Sequence, residues 1–292
     1  TAPTTELSLQ DFNHLGTLVP ALQHYLPKVV AKQLKGCNIL VYGVAGTGKT
    51  EFTRALSQDL GLECIEVAWA DDEGNPASRE ARMSALRAAQ HIFAKQNMLL
   101  LFDEVEDVFN DGQKDYQLNK GWLNRMLEQN AVPTVWITNR VDVMDRAFLR
   151  RFDMVIEMKA PPRAKRREMI ARLTHGFLTE AEIEQLAEHE DLVPAMLERA
   201  HKVTEEVGDV LNERDQASLY KQLLHNTLQA KGISTHVNLI AVIGAVYDIQ
   251  WIHSRPNLQQ LADGFATSHV GCLSLYGLPR TRKSAYLQCL SK

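Results

Sequence analysis

The chain has 292 residues, of which 45% are hydrophobic and 23% are charged, and this balance is typical of a globular protein with one large or two medium-sized domains. Its formal net charge of −4 argues against a protein dedicated to binding nucleic acid, because a phosphate backbone favours a basic surface. No apolar run is long enough to span a membrane, and the polar residues 1–12 lack the pattern of a signal peptide. We therefore expect a cytoplasmic protein without membrane or nucleic-acid partners.

From about residue 36 onwards, apolar segments that predict β-strands alternate with segments of helical periodicity. Strands are predicted at residues 38–43, 62–69, 98–105, 133–139 and 154–162, and helices at 50–61, 78–96 and 118–130. Strands that alternate with helices need crossover connections, which produce a mainly parallel sheet. The predicted fold class is therefore α/β, an αβα sandwich around a mainly parallel five-stranded sheet.

The pattern changes after Pro162. Four segments of helical periodicity follow between residues 163 and 232, with no strand pattern between them, and they predict an all-helical subdomain. Residues 233–292 then return to a mixture of helical and strand-like segments. The sequence therefore predicts three parts, residues 1–162, 163–232 and 233–292.

The segment GVAGTGKT, residues 43–50, matches the P-loop pattern G-x4-G-K-[S/T]. In such a loop, backbone N–H groups and a helix N-terminus surround a phosphate, and glycines let the backbone approach it closely. We expect Lys49 to bridge the β- and γ-phosphates of ATP and Thr50 to hold Mg²⁺ through its hydroxyl. The predicted strand before the loop and the helix after it argue against a chance match. The predicted nucleotide contacts are Gly43, Val44, Ala45, Gly46, Thr47, Gly48, Lys49, Thr50 and Glu51.

A second group of polar side chains lies at the carboxyl ends of later strands. LLLFDE, residues 99–104, ends in Asp103 and Glu104, at the edge of a parallel sheet where ligands bind. We expect Asp103 to hold Mg²⁺ and Glu104 to deprotonate the attacking water. Asn139 ends the strand at 133–139 and is a candidate for polarising the same water. Each feature alone also fits a solvated strand end or a turn, but together with a P-loop they predict ATP hydrolysis.

A pair of arginines follows in FLRRFD, residues 148–153. Guanidinium groups suit the charge that develops on a γ-phosphate in the transition state. Arg150 and Arg151 lie beyond the last helix of the predicted sheet, so a neighbouring subunit's site is a candidate target. An arginine-rich helix end at the surface is the alternative.

In the order GVAGTGKT, LLLFDE, WITNR and DRAFLRRFD, followed by a helical tail, the chain resembles the AAA+ ATPases, and most closely the classical AAA branch, over residues 8–232. The resemblance implies a nucleotide-binding subdomain, a helical lid, and ATP hydrolysis at subunit interfaces in a ring that is usually hexameric. It assigns the motif residues as follows: Walker A Lys49 and Thr50, Walker B Asp103 and Glu104, sensor 1 Asn139, and arginine fingers Arg150 and Arg151.

The resemblance also indicates contacts with the rest of the nucleotide. DFNHLG, residues 11–16, lies where the family contacts adenine, and LVPAML, residues 192–197, lies near the part of the lid that faces the nucleotide. The candidate contacts are Asp11, Phe12, Asn13, Pro194 and Ala195.

Two departures from the family pattern concern function. The family separates its two arginines as RPGR, whereas Arg150 and Arg151 are adjacent; the finger could be either, and Arg151, directly before Phe152, is preferred. The family's unfoldases carry a compact aromatic–aliphatic–glycine pore loop after the second strand. This chain has WADDEGNPA, residues 69–77, in its place, so the threading of a polypeptide is left open.

A partial repeat of the P-loop occurs near the end of the sequence, where GLPRTRKS, residues 277–284, aligns with GVAGTGKT. Arg280 and Arg282 stand where the first copy has Gly46 and Gly48, and side chains at those places crowd the phosphate-binding backbone. We expect residues 233–292 to be a linker and the truncated, degenerate start of a second AAA-like module.

The sequence thus favours an ATP-binding and ATP-hydrolysing AAA+ protein, a ring-forming remodelling or chaperone-type ATPase that uses ATP/ADP and Mg²⁺ and acts on protein clients. The missing pore motif keeps open a nucleotide-dependent assembly or scaffold protein with little turnover. A DNA-handling loader is a further alternative, which the negative net charge disfavours.

Overall fold

The computed structural model describes residues 4–70, 73–109 and 116–233. The chain divides into two compact units, residues 1–213 and 214–292. The predicted second module lies outside the described residues, apart from its first residue. Within the described part of the chain, no helix is both long and apolar enough to cross a membrane.

The first unit contains one five-stranded sheet. Its strands are β1 (Asn38–Tyr42), β2 (Glu63–Glu66), β3 (Met98–Phe102), β4 (Thr134–Thr138) and β5 (Met154–Glu157). The spatial order is β2-β3-β4-β1-β5, and every pairing is parallel. The predicted parallel five-stranded sheet is therefore confirmed, although the strands are shorter than their apolar runs.

Helices cover both faces of this sheet. They are α1 (Leu18–Lys32), α2 (Lys49–Asp59), α3 (Arg79–Ile92), α4 (Glu106–Phe109), α5 (Tyr116–Gln129) and α6 (Arg146–Leu149). Three short 3₁₀ helices accompany the longer ones, at Leu9–Leu15, Val141–Val143 and Gly208–Val210.

Alternate residues of the central strands pack into two separate cores. In β1, Ile39 and Val41 belong to the core shared with α1 and α2, whereas Leu40 belongs to the core shared with α3 and α5. In β3, Leu101 and Leu100 alternate in the same way. Since both faces of the sheet are covered, every position of β3 and every position of β1 after Asn38 carries a large hydrophobic or aromatic side chain, and this explains the continuous apolar runs in the sequence.

Three further helices follow the sheet within the first unit: α7 (Arg163–Thr174), α8 (Glu180–Ala187) and α9 (Pro194–Glu206). The buried guanidinium of Arg166 donates to the carbonyl oxygen of Ala187 at 2.8 and 3.0 Å and to that of Pro161 at 2.5 Å. Arg166 therefore fixes α7 against the end of α8 and the segment that leaves β5. A last helix, α10 (Glu213–Ala230), begins at the boundary with the second unit. The predicted part boundaries near residues 162 and 232 stay predictions.

Candidate functional site

The strand order places the three predicted motif segments next to one another. The P-loop follows β1, the acid pair Asp103–Glu104 follows β3, and Asn139 follows β4. Because β3, β4 and β1 are neighbours and parallel, their carboxyl ends meet at one edge of the sheet. This is the edge at which ligands bind in open α/β folds.

Two glycines of the P-loop occupy places that a side chain could not share. A Cβ at Gly43 would lie 2.1 Å from the carbonyl oxygen of Met158. Gly46 has φ +86°, and a Cβ there would lie 3.0 Å from Cβ of Ala195, whose backbone N–H donates to the Gly46 carbonyl at 3.2 Å. The loop therefore needs glycine both for its own turn and for its contact with the start of α9.

The Walker A lysine links the P-loop to the end of β4. Lys49 Nζ donates to Oδ1 of Asn139 at 2.8 Å. It also donates to the carbonyl oxygens of Gly43 and Val44, at 2.9 and 3.0 Å. Burial lowers the pKa of Lys49, and the negative charges of Asp103 and Glu106 oppose that shift. The ammonium group is held where the P-loop and sensor segments meet.

The Walker A threonine links the P-loop to the end of β3. Thr50 Oγ1 donates to Oδ2 of Asp103 at 2.6 Å. A hydroxyl and a carboxylate oxygen are hard ligands of the kind that Mg²⁺ prefers. Where residues are described, no group of three or more His, Cys, Asp or Glu side chains could hold a metal ion. Mg²⁺ is usually held by one or two protein oxygens together with phosphate oxygens and water, and Thr50 and Asp103 fit such a site.

The acid pair is held from behind by Arg82 of α3, a residue that the sequence analysis did not single out. Arg82 is only 4% exposed, and its guanidinium lies over the Phe102 ring, 4.5 Å from the centroid. It donates to the carbonyl oxygen of Glu104 at 3.2 Å and to that of Asp103. Glu104 itself has a positive φ of 53°, which is costly for a residue with a side chain. Arg82 therefore stabilises the strained turn that orients the side chains of Asp103 and Glu104.

The sensor segment is tied to Glu106, which lies two residues after the acid pair. The backbone N–H of Asn139 donates to Oε1 of Glu106 at 2.5 Å. Glu106 is the first residue of α4, so the ends of β3 and β4 are joined by this bond as well as by their pairing. No sequence motif marks Glu106, because its role depends on the neighbouring strand.

A cavity of about 360 Å³ lies over these groups. Most of the predicted nucleotide-contacting residues line it: Asp11, Phe12, Ala45, Gly46, Thr47, Gly48, Lys49, Thr50, Glu51, Asp103, Glu104, Asn139, Pro194 and Ala195. Asn13, Gly43 and Val44 are not in the lining. The lining also contains residues that sequence reasoning missed, namely Leu7, His14, Ile137, Pro161, Lys165, Met169, Arg172 and Glu198.

Charged groups of α7 close one side of the cavity. Oδ1 of Asp11 lies 3.3 Å from Nζ of Lys165 and 3.7 Å from a guanidinium nitrogen of Arg172. Burial acts to raise the pKa of Asp11, but hydrogen bonds from Ser8 and Lys165 outweigh burial and hold that pKa below its usual value. The Asp11 carboxylate thus pairs with Lys165 and Arg172, two cations of α7 that line the same cavity.

Two further groups in the cavity wall have perturbed pKa values. Burial raises the pKa of Glu198 on α9, and the nearby charge of Glu51 raises it further, against the opposing effect of Arg172. Burial also lowers the pKa of His14, so this imidazole is neutral at physiological pH. Glu198 lies directly after LVPAML and belongs to no motif, whereas His14 is part of DFNHLG but was not among the candidate contacts.

The two adjacent arginines lie outside the cavity. Arg151 Nε donates to Oε1 of Glu128 on α5 at 2.9 Å, and its guanidinium also donates to the carbonyl oxygen of Ala147. Arg150 is exposed and forms no ion pair with any residue that the structure describes. Among the described residues, therefore, Arg151 has an ion-pair partner and Arg150 has none.

A phosphate-binding loop between a central strand and a helix, with an acid pair at the end of a nearby parallel strand, defines a P-loop nucleotide-binding protein. Comparison with known families narrows the class of protein that this chain resembles. Residues 39–160 match the family described as "ATPase family associated with various cellular activities (AAA)". Over these residues the chain is similar to the AAA family of ATPases, the family that its motifs resemble.

Curated relatives resemble only part of the chain. The 26S proteasome regulatory subunit S10B homolog B of Arabidopsis thaliana is 28% identical over 173 residues, which cover 54% of this chain and 42% of the relative. The proteasome-activating nucleotidase of Methanothermobacter thermautotrophicus is 28% identical over 165 residues, which cover 51% of this chain and 40% of the relative. The chain thus spans about two fifths of the length of these relatives.

Solved structures share the fold more fully. The crystal structure of the FIGL-1 AAA domain in complex with ADP superposes with a TM-score of 0.54 at 16% sequence identity. The superposition covers 93% of this chain and 94% of that one. At this identity the similarity establishes the fold.

Proposed function

We propose that this chain binds and hydrolyses ATP with Mg²⁺, as a subunit of a ring that remodels protein clients. The observation that carries the proposal is the pair of hydrogen bonds that joins three motifs at one edge of the sheet. Lys49 bonds Asn139, and Thr50 bonds Asp103. In the proposed reaction, Mg²⁺ neutralises charge on the β- and γ-phosphates.

Each residue of this edge has a role that its position supports. Lys49 exchanges its carbonyl partners for phosphate oxygens, which form stronger, charge-assisted hydrogen bonds. Thr50 and Asp103 hold the metal ion. Glu104, which lines the cavity, accepts the proton of the attacking water, and Asn139 orients that water.

The ring is supported by the position of the arginines. Arg150 and Arg151 carry the charge that a phosphoryl-transfer transition state needs, yet neither lines the cavity of its own subunit. Where the arginine of one subunit completes the nucleotide site of its neighbour, the complete site forms only in the assembled ring. The hexameric size follows the family pattern and, like the cytoplasmic location, is part of this proposal.

Protein clients are supported by an exposed aromatic residue and by the relatives. Trp69 is 65% exposed and lies in the loop between β2 and α3, where unfoldases of the family carry their pore residues. Two relatives are named for the regulation or activation of proteasomes. The departure of WADDEGNPA from the pore pattern favours the second candidate, a scaffold that binds ATP with little turnover.

The test is ATP turnover per chain measured as the protein concentration is raised. Lys49→Ala serves as the blank, and Lys28→Ala, on the exposed face of α1, serves as the matched control. We expect specific activity to rise with concentration and to vanish only in the blank. ATP binding with turnover that stays at the level of the blank would overturn hydrolysis and leave the scaffold.

The general base is tested with Glu104→Gln. This variant keeps the shape of the side chain but cannot accept the proton. We expect it to bind ATP as tightly as the wild type, to lose turnover by about 100-fold or more, and to stay assembled with trapped ATP. If the wild type and Glu104→Gln hydrolyse ATP equally slowly, the result would favour the scaffold function.

A further inference from the structure

A second concave surface lies at the opposite edge of the sheet. It is a groove of about 1,000 Å³ between the carboxyl-terminal halves of α3 and α5. Lys35 before β1, Lys95 before β3 and Ala131 before β4 line it. Because these residues precede parallel strands, the groove lies away from the carboxyl edge that carries the nucleotide site, and the proposed function does not use it.

The groove carries an excess of basic side chains. Among the residues that the structure describes, its lining contains five basic side chains and no Asp or Glu; the basic residues are Lys35, Arg87, His91, Lys95 and Arg125. All five are exposed, and none of them forms an ion pair with the residues that the structure places. On a chain with a net charge of −4, this concentration of basic side chains without an acidic partner in the described part of the chain needs an explanation outside the fold.

Basic side chains form a ridge with helical spacing. Arg87, His91 and Lys95 recur every fourth residue along α3 and the turn that follows it, so they lie in one row about 6 Å apart. Trp122 and Arg125 form the facing ridge on α5, and the Arg87 guanidinium lies 5.7 Å from the centroid of the Trp122 ring. The two ridges thus border the groove and approach each other at Arg87 and Trp122.

An apolar strip of Ala88, Ala94 and Met126 lies between the ridges, beside the buried amide side chains of Gln90 and Asn130. Trp122 is 38% exposed at the side of this strip. Ile92, which is 62% exposed, lies on the same half of α3. An apolar strip bordered by cations is complementary to a helix that has an apolar stripe flanked by carboxylates.

We propose that this groove, which we call the α3–α5 groove, binds an acidic amphipathic helix of a partner protein. Carboxylates three or four residues apart on that helix meet Arg87, Lys95 and Arg125, while its apolar stripe covers Trp122. Burial of an aromatic anchor supplies affinity, and the surrounding cations supply orientation and speed of association.

The surface fits a protein segment better than a nucleic acid. A site for single-stranded nucleic acid needs aromatic faces on which bases stack, but Trp122 is the one Phe, Tyr or Trp among the described residues of the lining, and its ring faces Arg87. The negative charge of the rest of the chain also opposes a long polyanion.

The test is fluorescence anisotropy with a fluorescein-labelled peptide of about 15 residues, long enough for four helical turns. The peptide carries glutamates at helical spacing beside a leucine stripe, and a scrambled peptide of the same composition is the control. The double variant Arg87→Glu/Lys95→Glu reverses charge in the groove. Lys28→Glu/Lys32→Glu on α1, where both lysines are exposed, makes the same charge change elsewhere.

We expect the amphipathic peptide to bind the full chain, with affinity that falls as salt is added. The groove variant should lose about tenfold or more in affinity while keeping its ATP turnover, and the α1 variant should lose less than about twofold. Trp122→Ala should weaken binding without changing the dependence on salt.

Three results would overturn the proposal: no binding by the amphipathic peptide, equal binding by the scrambled peptide, or equal losses in the two charge-reversal variants. Tighter binding of a single-stranded oligonucleotide, lost in the same groove variant, would also overturn it and would assign the α3–α5 groove to nucleic acid.

Discussion

At the scale of single residues, the acid pair of the candidate site depends on an arginine outside every motif. Arg82 is buried beneath Phe102 and donates hydrogen bonds to the carbonyl oxygens of Asp103 and Glu104. Hydrogen bonds from a charged group are worth about 1.5–3 kcal/mol each. Arg82 is therefore a positioning residue, since it acts on the proton acceptor through the main chain.

We expect Arg82→Met to lower kcat by about 10- to 100-fold, because Glu104 loses its fixed position. The affinity for ATP should change by less than about threefold, since Arg82 does not line the cavity. Arg82→Lys should recover part of kcat, because an ammonium can still donate to a carbonyl. Arg87→Met, on the exposed side of the same helix, is the control. An equal loss in kcat and in ATP affinity would indicate general unfolding of the site.

A second residue, Glu198, places a carboxylate in the cavity wall near Glu51. Its negative charge opposes the triphosphate, so Glu198→Gln should raise the affinity for ATP by about two- to fivefold. Because the pKa of Glu198 is raised, the wild-type side chain takes up its proton at a higher pH than an ordinary glutamate. The advantage of the variant should therefore shrink as the pH is lowered into the range in which the Glu198 carboxyl takes up its proton. Titration with a fluorescent ATP analogue measures the difference, and an advantage that does not vary with pH would contradict it.

At the scale of secondary-structure elements, the loop at residues 43–50 contacts the start of α9 through Gly46 and Ala195, in addition to its proposed role in binding a nucleotide. Gly46→Ala places a methyl group against Ala195 and requires φ +86° of a residue with a side chain. We expect a cost of about 1–3 kcal/mol in the free energy of unfolding and a loss of ATP affinity. Gly61→Ala is the matched control, because Gly61 has φ +63° but open space around its Cα. Chemical denaturation of both variants separates backbone strain from the clash.

Continuous apolar runs predicted the strands, and the P-loop with its flanking elements predicted the nucleotide site. Helix α1 was missed, because Pro20 and Pro27 interrupt its pattern although Leu22, Leu26 and Val29 are buried at helical spacing. Lys165 was missed for another reason, since it reaches the cavity through the packing of α7, which no local pattern encodes. Sequence reasoning therefore found residues fixed by local chemistry and missed those placed by tertiary contacts.

At the scale of the whole molecule, the proposed ring predicts that subunits complement one another. Lys49→Ala lacks a working P-loop but retains its arginines, whereas Arg150→Ala retains its P-loop. Mixing the two should restore turnover above that of either variant alone, because the P-loop of one subunit meets the arginine of the other. Turnover of the mixture equal to the mean of the two variants would exclude action between subunits for Arg150.

The same mixing experiment with Arg151→Ala identifies the finger. Arg151 forms an ion pair with Glu128, so its removal also affects its own subunit. Glu128→Ala breaks that ion pair and leaves the arginine in place. If Arg151 acts only as a structural residue, both variants should lose thermal stability alike, and neither should be complemented by Lys49→Ala.

Helix α3 connects the two ends of the sheet. Arg82 near its start supports the acid pair, and Arg87 and His91, about 8–14 Å further along, face the α3–α5 groove. A ligand that shifts α3 along its axis would therefore displace Glu104, the proposed proton acceptor. Binding in the α3–α5 groove would then change the rate of ATP hydrolysis. Thermodynamic linkage makes such an effect reciprocal, so ATP would change the affinity of the groove by the same factor by which the ligand changes the affinity for ATP. Peptide titrations with and without ATP measure that factor, and a value of one would show that the two ends of the helix are independent.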